Sequence, residues 1–283
     1  MSGKRHGAKP RQIKQSGAFL DPKARRAALI TTLVYDYQPG HLVPWHFHDW
    51  DQLVYASSGV MTVRTEAGTW IVPAQRAVWI PAGTPHQIRM SGHVSMRTLY
   101  LKPGLARRLA RHCEVVNVSP LMKELILHAC TTPALARRRP HEAHLVGTIL
   151  DQLHGAKSVA LQLPEPGDAR PARVAKLLAD DPSDQRPLDA LCERAGASKR
   201  TIERLFRIQT GMTFGKWRQQ LRLMHALRLL AEGRKITDVA LESGYSTTSA
   251  FISMFKKTLG TTPSRYFRNS ARTTRETRNP IHN

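Results

Sequence analysis

His46 and His48 stand two apart in a stretch of β-type sequence, followed by Gln52 and, further on, His86. Side chains two apart on a strand point to the same side, so the first two imidazoles share a face. His86, from another strand, can complete a set of three nitrogen donors. Three imidazoles suit a divalent metal such as zinc or iron. Gln52 adds only a neutral oxygen, which weakens the site for a hard cation. The same four side chains can instead form the polar wall of an effector pocket, with Tyr55 and Trp79 lining it and Trp45, Trp50 and Trp70 as further candidates. On the residues alone these uses stay open, as does a plain structural role in a core. No nucleophile elbow, phosphate-binding glycine loop or His-Glu zincin motif occurs in the chain.

A second group lies near the C-terminal end. Residues 188–208 and 236–257 repeat one pattern: a short apolar-patterned helix, a turn at Gly196 or Gly244, and a longer helix. Glycine tolerates the left-handed backbone such a turn demands. Ser198 and Thr247 suit the N-caps of the longer helices. Ile202, Leu205 and Phe206 in the first, and Phe251, Met254 and Phe255 in the second, recur at i, i+3, i+4 and predict one buried face each. The opposite face of the first carries Lys199, Arg200, Glu203, Arg204 and Arg207. Arg can grip guanine with two hydrogen bonds and Glu can accept from cytosine. The second exposes Thr248, Ser249, Ile252 and Ser253, then Lys256 and Lys257, types suited to phosphates and weaker base contacts. The first unit is therefore expected to read sequence and the second to anchor. Trp217, Leu221, Met224, Leu227 and Leu230 predict one long helix over 213–233, able to hold two reading heads about one DNA turn, roughly 34 Å, apart.

Charge supports a polyanionic partner. The 283 residues carry a formal +22, divided as +7 in residues 1–26, +3 in 27–169, +10 in 170–268 and +2 in 269–283. Double-stranded DNA is the partner this distribution favours; a membrane is not expected, because no apolar run approaches the roughly 20 residues of a span. Residues 1–26 have no apolar signal core and are expected to be a disordered basic arm. Cys113, Cys130 and Cys192 lack metal-type pairing and fit reduced thiols of a cytoplasmic protein.

The elements that must position these groups fall into two blocks. Short β-type runs at 29–37, 52–57, 60–66, 69–73, 77–81 and 94–101, broken by turn residues such as Ser58-Gly59 and Ser91-Gly92, predict an all-β barrel over 27–103. Helical spacing near 104–113, 120–131 and 141–154 predicts a helical region over 104–160 that packs on the barrel or forms a dimer interface. The Pro-rich stretch 161–171 reads as a linker, 172–268 as an all-α domain, and 269–283 as a disordered tail. The fold class is α+β multidomain.

Residues 172–268 resemble the DNA-binding domain of the AraC/XylS family. The marks are the doubled helix-turn-helix, Arg222 with Ala226, Leu227, Leu229 and Leu230, the run from Ile236 to Gly244-Tyr245, and the ending from Phe255 to Tyr266. The resemblance implies a sequence-specific activator or repressor, often dimeric, with an N-terminal effector domain and, for an activator, RNA polymerase as a partner. One departure is that the second reading helix lacks Arg at its exposed positions. The strand-rich part resembles a cupin through Gly40, His46, His48, Gln52 and Gly59, and then Pro81, Gly83 and His86. Metal-binding cupins have Glu where Gln52 stands, and sensor cupins commonly take an organic ligand, so the resemblance implies an effector barrel with no cofactor needed. Two other readings are a metal-dependent cupin enzyme fused to a DNA-binding domain, and a DNA-compacting protein.

Overall fold

The computed structural model describes residues 11–12, 27–107, 109–137 and 139–267. The expectations for the rest of the N-terminal arm and for the tail lie outside the described residues. Within the arm, Arg11–Gln12 form β1, a short strand parallel to β3 at His46 and Phe47, so those two residues are ordered against the sheet.

Two long strands organise the β domain. They are β4 (Asp51–Thr65) and β7 (His86–Leu101), antiparallel along most of their length. Sequence reading breaks both, at Ser58-Gly59 and Ser91-Gly92. The structure instead runs each strand through its glycine, with φ of +74° at Gly59 and +69° at Gly92 and a register shift near Ser58. Extra residues in one strand of a pair bend it and raise its twist. A β-carbon on Gly59 would sit 2.5 Å from the His93 carbonyl oxygen, so the two strands cross too closely for any other residue there.

Each bent strand belongs to two half-sheets. One follows β1, β3 (Leu42–Phe47), β7, β4, β5 (Gly68–Pro73) and β11 (Gln162–Pro164). The other follows β9 (Ala134–Ala136), β2 (Ala28–Tyr37), β7, β4, β6 (Arg76–Ile80), β8 (Glu114–Asn117) and β10 (Ser158–Val159). Folded on each other they form the expected barrel-like domain. Where a helix is expected, residues 104–107 form turns, with Leu105 N–H donating to the Lys102 carbonyl and Leu109 N–H to that of Ala106, and Gly104 there has φ +84°. Strands β8 to β11 extend the sheet well past residue 103, and β11 makes 162–164 part of it rather than a bare linker.

Helices α1 (Pro120–Ala129) and α2 (Pro140–His154) cover the outer face of the second half-sheet. Met122, Ile126, Val146 and Ile149 pack there on Leu53, Tyr55, Trp79 and Leu99. The C-terminal part is helical throughout: α3 (Ala169–Asp180), α4 (Leu188–Ala195), α5 (Lys199–Thr210), α6 (Phe214–Ala231), α7 (Ile236–Glu242) and α8 (Thr248–Leu259). Its core shares a cluster with the first half-sheet. Contacts between the two include Trp217 Nε1 donating to the Pro164 carbonyl at 2.8 Å and Tyr266 Oη donating to Ala74 at 2.9 Å. At Gly92 a β-carbon would meet the Ala231 carbonyl oxygen at 2.2 Å, so the bulge of β7 and the end of α6 touch backbone to backbone. Among the described residues no helix is long and apolar enough to cross a membrane.

Candidate functional site

The barrel site is built by β3, β4 and β7. His46 pairs with His86 across the β3–β7 ladder, and Gln52 lies opposite Tyr100 across β4–β7. The ring centroids of His46 and His86 are 4.2 Å apart, those of His46 and His48 are 4.9 Å apart, and the Tyr100 ring is 4.9 Å from His48. One ligand atom from each histidine lies within 4.8 Å of the others, and all three residues are buried. Four-coordinate zinc needs about 3.4 Å between nitrogens at ~2.1 Å bond lengths, so the three imidazoles could supply three of its four ligands once their nitrogens drew closer.

Backbone carbonyls set the tautomers. His46 Nδ1 lies 2.7 Å from the Pro44 oxygen and His86 Nδ1 2.8 Å from that of Thr84. A carbonyl only accepts, so both Nδ1 atoms carry the proton and both Nε2 atoms present lone pairs. Burial, followed by the neighbouring His46, pushes the His86 pKa down to about 3; burial also lowers that of His46. These two imidazoles are neutral acceptors at pH 7. Among the described residues, His86 Nε2 and Gln52 Oε1 are buried without a hydrogen-bond partner. The cluster therefore has surplus acceptors, which a ligand with N–H or O–H donors, or a cation, would satisfy.

Tyr55 and Trp79 do not join it. Alternation sends Gln52 and Val54 to one face of β4, and Leu53 and Tyr55 to the other, under α1 and α2. There Trp79 Nε1 donates to the Ala110 carbonyl at 2.9 Å. Sequence reasoning misses Tyr100, whose place two residues beyond Thr98 on β7 puts it on the inward face. Burial raises its pKa strongly, so the hydroxyl is protonated and can donate.

The second site lies on the two helix-turn-helix units. In the first, Gly196 closes α4 at φ +65° and Ser198 caps α5, its hydroxyl accepting from the Thr201 amide. Ile202, Leu205 and Phe206 are buried, and Phe206 packs on Phe214 and Trp217 at ring distances of 5.4 and 5.3 Å. That anchoring turns Ser198, Lys199, Arg200, Glu203, Arg204 and Arg207 outward, and all six are exposed. Lys199 is held back toward α4 by an ion pair with Asp189 at 3.1 Å. Among the described residues, Arg200, Arg204 and Arg207 form no ion pair, although Glu203 is one turn from two of them.

In the second unit, Gly244 has φ +78° and the Thr247 hydroxyl accepts from the Ala250 amide. Phe251, Met254 and Phe255 are buried. Ser249, Ser253 and Lys256 are exposed, Thr248 is half-buried, and Ile252 is turned partly into the core. Helix α6 between the units has 18 residues, about 27 Å of axis, somewhat shorter than the span read from sequence. Arg222 of α6, which sequence assigns only to a motif, donates to the Pro182 and Asp184 carbonyls and lies over the Tyr245 ring at 5.9 Å. It ties the loop that leads into the first unit to the second unit.

A barrel-like domain with an inward polar cluster, joined to two helix-turn-helix units with outward basic side chains, defines a one-component transcription regulator. Known proteins agree. Residues 31–205 match the family described as AraC-like ligand binding domain, and residues 191–269 match a helix-turn-helix domain family. The HTH-type transcriptional regulator NimR of Escherichia coli (strain K12) is 34% identical over 223 residues, 79% of this chain and 81% of that protein. The HTH-type transcriptional regulator RipA of Corynebacterium diphtheriae is 40% identical over 105 residues, 37% of this chain and 31% of that protein. A solved structure of ToxT from Vibrio cholerae O395 is 13% identical, with a TM-score of 0.37, over 85% of this chain and 98% of that one. The chain belongs to the AraC family.

Proposed function

We propose that the protein is a cytoplasmic, sequence-specific regulator in which a small molecule bound inside the barrel alters promoter binding. The observation that carries the DNA part is the exposed face of α5, where Arg200, Arg204 and Arg207 project outward with no ion-pair partner among the described residues. Arg200 and Arg204 are the base-reading residues, with Glu203 beside them; Ser198, Lys199 and Arg207 hold phosphates. Thr247, Thr248, Ser249, Ser253 and Lys256 anchor the second unit, and Ile252 contributes apolar contact to a base edge. The sensory unit comprises the barrel with α1 and α2, and residues 172–268 form the DNA-binding unit. The protein acts as a homodimer, contacts RNA polymerase if it activates, and binds its ligand without transforming it.

Full-length protein incubated with fragmented genomic DNA should enrich a small set of discrete fragments, with log affinity falling linearly in log salt at a slope of about −0.9 per phosphate contacted. Uniform recovery of all fragments would instead mark a DNA-compacting protein.

For the barrel, the surplus acceptors favour an effector rich in N–H or O–H donors. His86→Ala and Gln52→Ala should each abolish the ligand-dependent change in DNA binding while leaving ligand-free binding intact; a response preserved in both variants refutes the assignment. A second reading has His46, His48 and His86 holding zinc or iron, supported by the two carbonyl-fixed tautomers. The metal would act there as a Lewis acid or a template for the ligand. Zinc titration separates the readings, since stoichiometric tight binding that is lost in His86→Ala belongs only to the second.

A further inference from the structure

A crevice of about 550 Å³ opens between the outer face of β4, β5 and β11 and the helices α3 and α6. Ile71 and Leu163 on the sheet side, and Leu221 and Met224 on α6, form an apolar floor, and charged side chains surround it. Three cations reach it. Arg64 is matched by Glu165 at 3.3 Å and Lys176 by Asp180 at 2.6 Å. Arg228 has no such match: among the described residues it forms no ion pair, and its Nε is buried without a hydrogen-bond partner. Glu232, just past the end of α6, acts on it without forming an ion pair, and Arg89 on β7 is a like charge. Burial lowers the Arg228 pKa, yet a guanidinium keeps its proton in any protein, so a positive charge sits half-desolvated at the edge of an apolar space.

We infer that this crevice is a second ligand site, distinct from the barrel interior, which takes a small organic anion with its apolar body against Ile71, Leu221 and Met224 and its carboxylate or sulfonate on Arg228. The volume falls within the range of small-molecule pockets, roughly 300–1,000 Å³. An anion supplies the hydrogen-bonded counter-charge that the guanidinium lacks. The site does not depend on what the barrel interior binds. Its two walls come from the sensory sheet and from the helix that carries both reading units, so occupancy favours the docked arrangement of the two domains.

The test uses two fluorescent probes on the full chain: 8-anilinonaphthalene-1-sulfonate, which is anionic, and N-phenyl-1-naphthylamine, its neutral counterpart. Arg228→Gln should weaken the sulfonate about tenfold or more and leave the amine within about twofold, as expected for loss of one charge-assisted contact. Ala179→Phe, at an exposed position on the rim, should weaken both probes without lowering the melting temperature. Arg194→Gln, on the exposed side of α4, controls for general attraction to a basic surface and should change neither. Sulfonate affinity that is unchanged in both Arg228→Gln and Ala179→Phe, or that falls equally in Arg194→Gln, overturns the inference.

Discussion

Replacing Phe206 with alanine should cost about 3–5 kcal/mol and abolish binding to specific and random DNA alike. Phe206 is fully buried, and its ring stands edge-on to both Phe214 and Trp217. Those three rings join α5, the start of α6 and, through the Trp217 hydrogen bond to Pro164, the edge of the sheet. Truncation removes the transfer free energy of the ring and leaves a cavity that rigid aromatic neighbours cannot close, which places the cost at the upper end for core substitutions. Whole domains are stable by only about 5–15 kcal/mol, so α5 would lose its fixed orientation. Urea denaturation followed by tryptophan fluorescence, with DNA binding measured in parallel, checks this. Phe206→Leu, which keeps most of the volume, should cost less than about 1.5 kcal/mol and retain binding. DNA affinity in Phe206→Ala within a few-fold of the parent would show that α5 is not held by this core.

The second large effect is on specificity, with stability unchanged. Arg204→Ala should weaken the specific site by about 1–3 kcal/mol, a factor of roughly 5 to 150, and barely affect random DNA. Arg200→Ala should behave alike. Both side chains are exposed, so the fold loses nothing measurable. Lys256→Ala should instead lower affinity on both DNAs by a similar factor and reduce the salt slope by about one contact, as for a phosphate ligand. Competition binding at two salt concentrations distinguishes the patterns. Equal losses on specific and random DNA in Arg200→Ala and Arg204→Ala would remove base reading from α5.

The helix-turn-helix units were legible because their determinants are local. A serine or threonine cap, a glycine at positive φ and apolar residues at i, i+3, i+4 are written within about twenty residues of chain. The two-residue spacing of His46 and His48 was legible for the same reason, and the structure keeps both imidazoles buried together although His48 lies one residue past the end of β3. The failures follow from non-local packing. Strand β4 is buried on both faces, so hydrophobicity does not alternate along it and cannot say that Gln52 faces inward while Tyr55 packs under α1 and α2. A bulge at Ser58-Gly59 uses the same residue types as a turn, and only the partner strand decides between them.

By itself, then, the sequence determined the two reading helices, their caps and outward arginines, the basic surplus of the C-terminal region and the two-residue spacing of His46 and His48, all set by local spacing and composition. Tertiary structure brings His86 onto those imidazoles, as the sequence reading expects, and it alone decided that Tyr100 joins them while Tyr55 and Trp79 turn away, and that Arg228 faces the crevice with no ion-pair partner among the described residues. Each of these joins residues far apart in the chain, and their meeting depends on sheet register and domain docking, which no short window of sequence specifies.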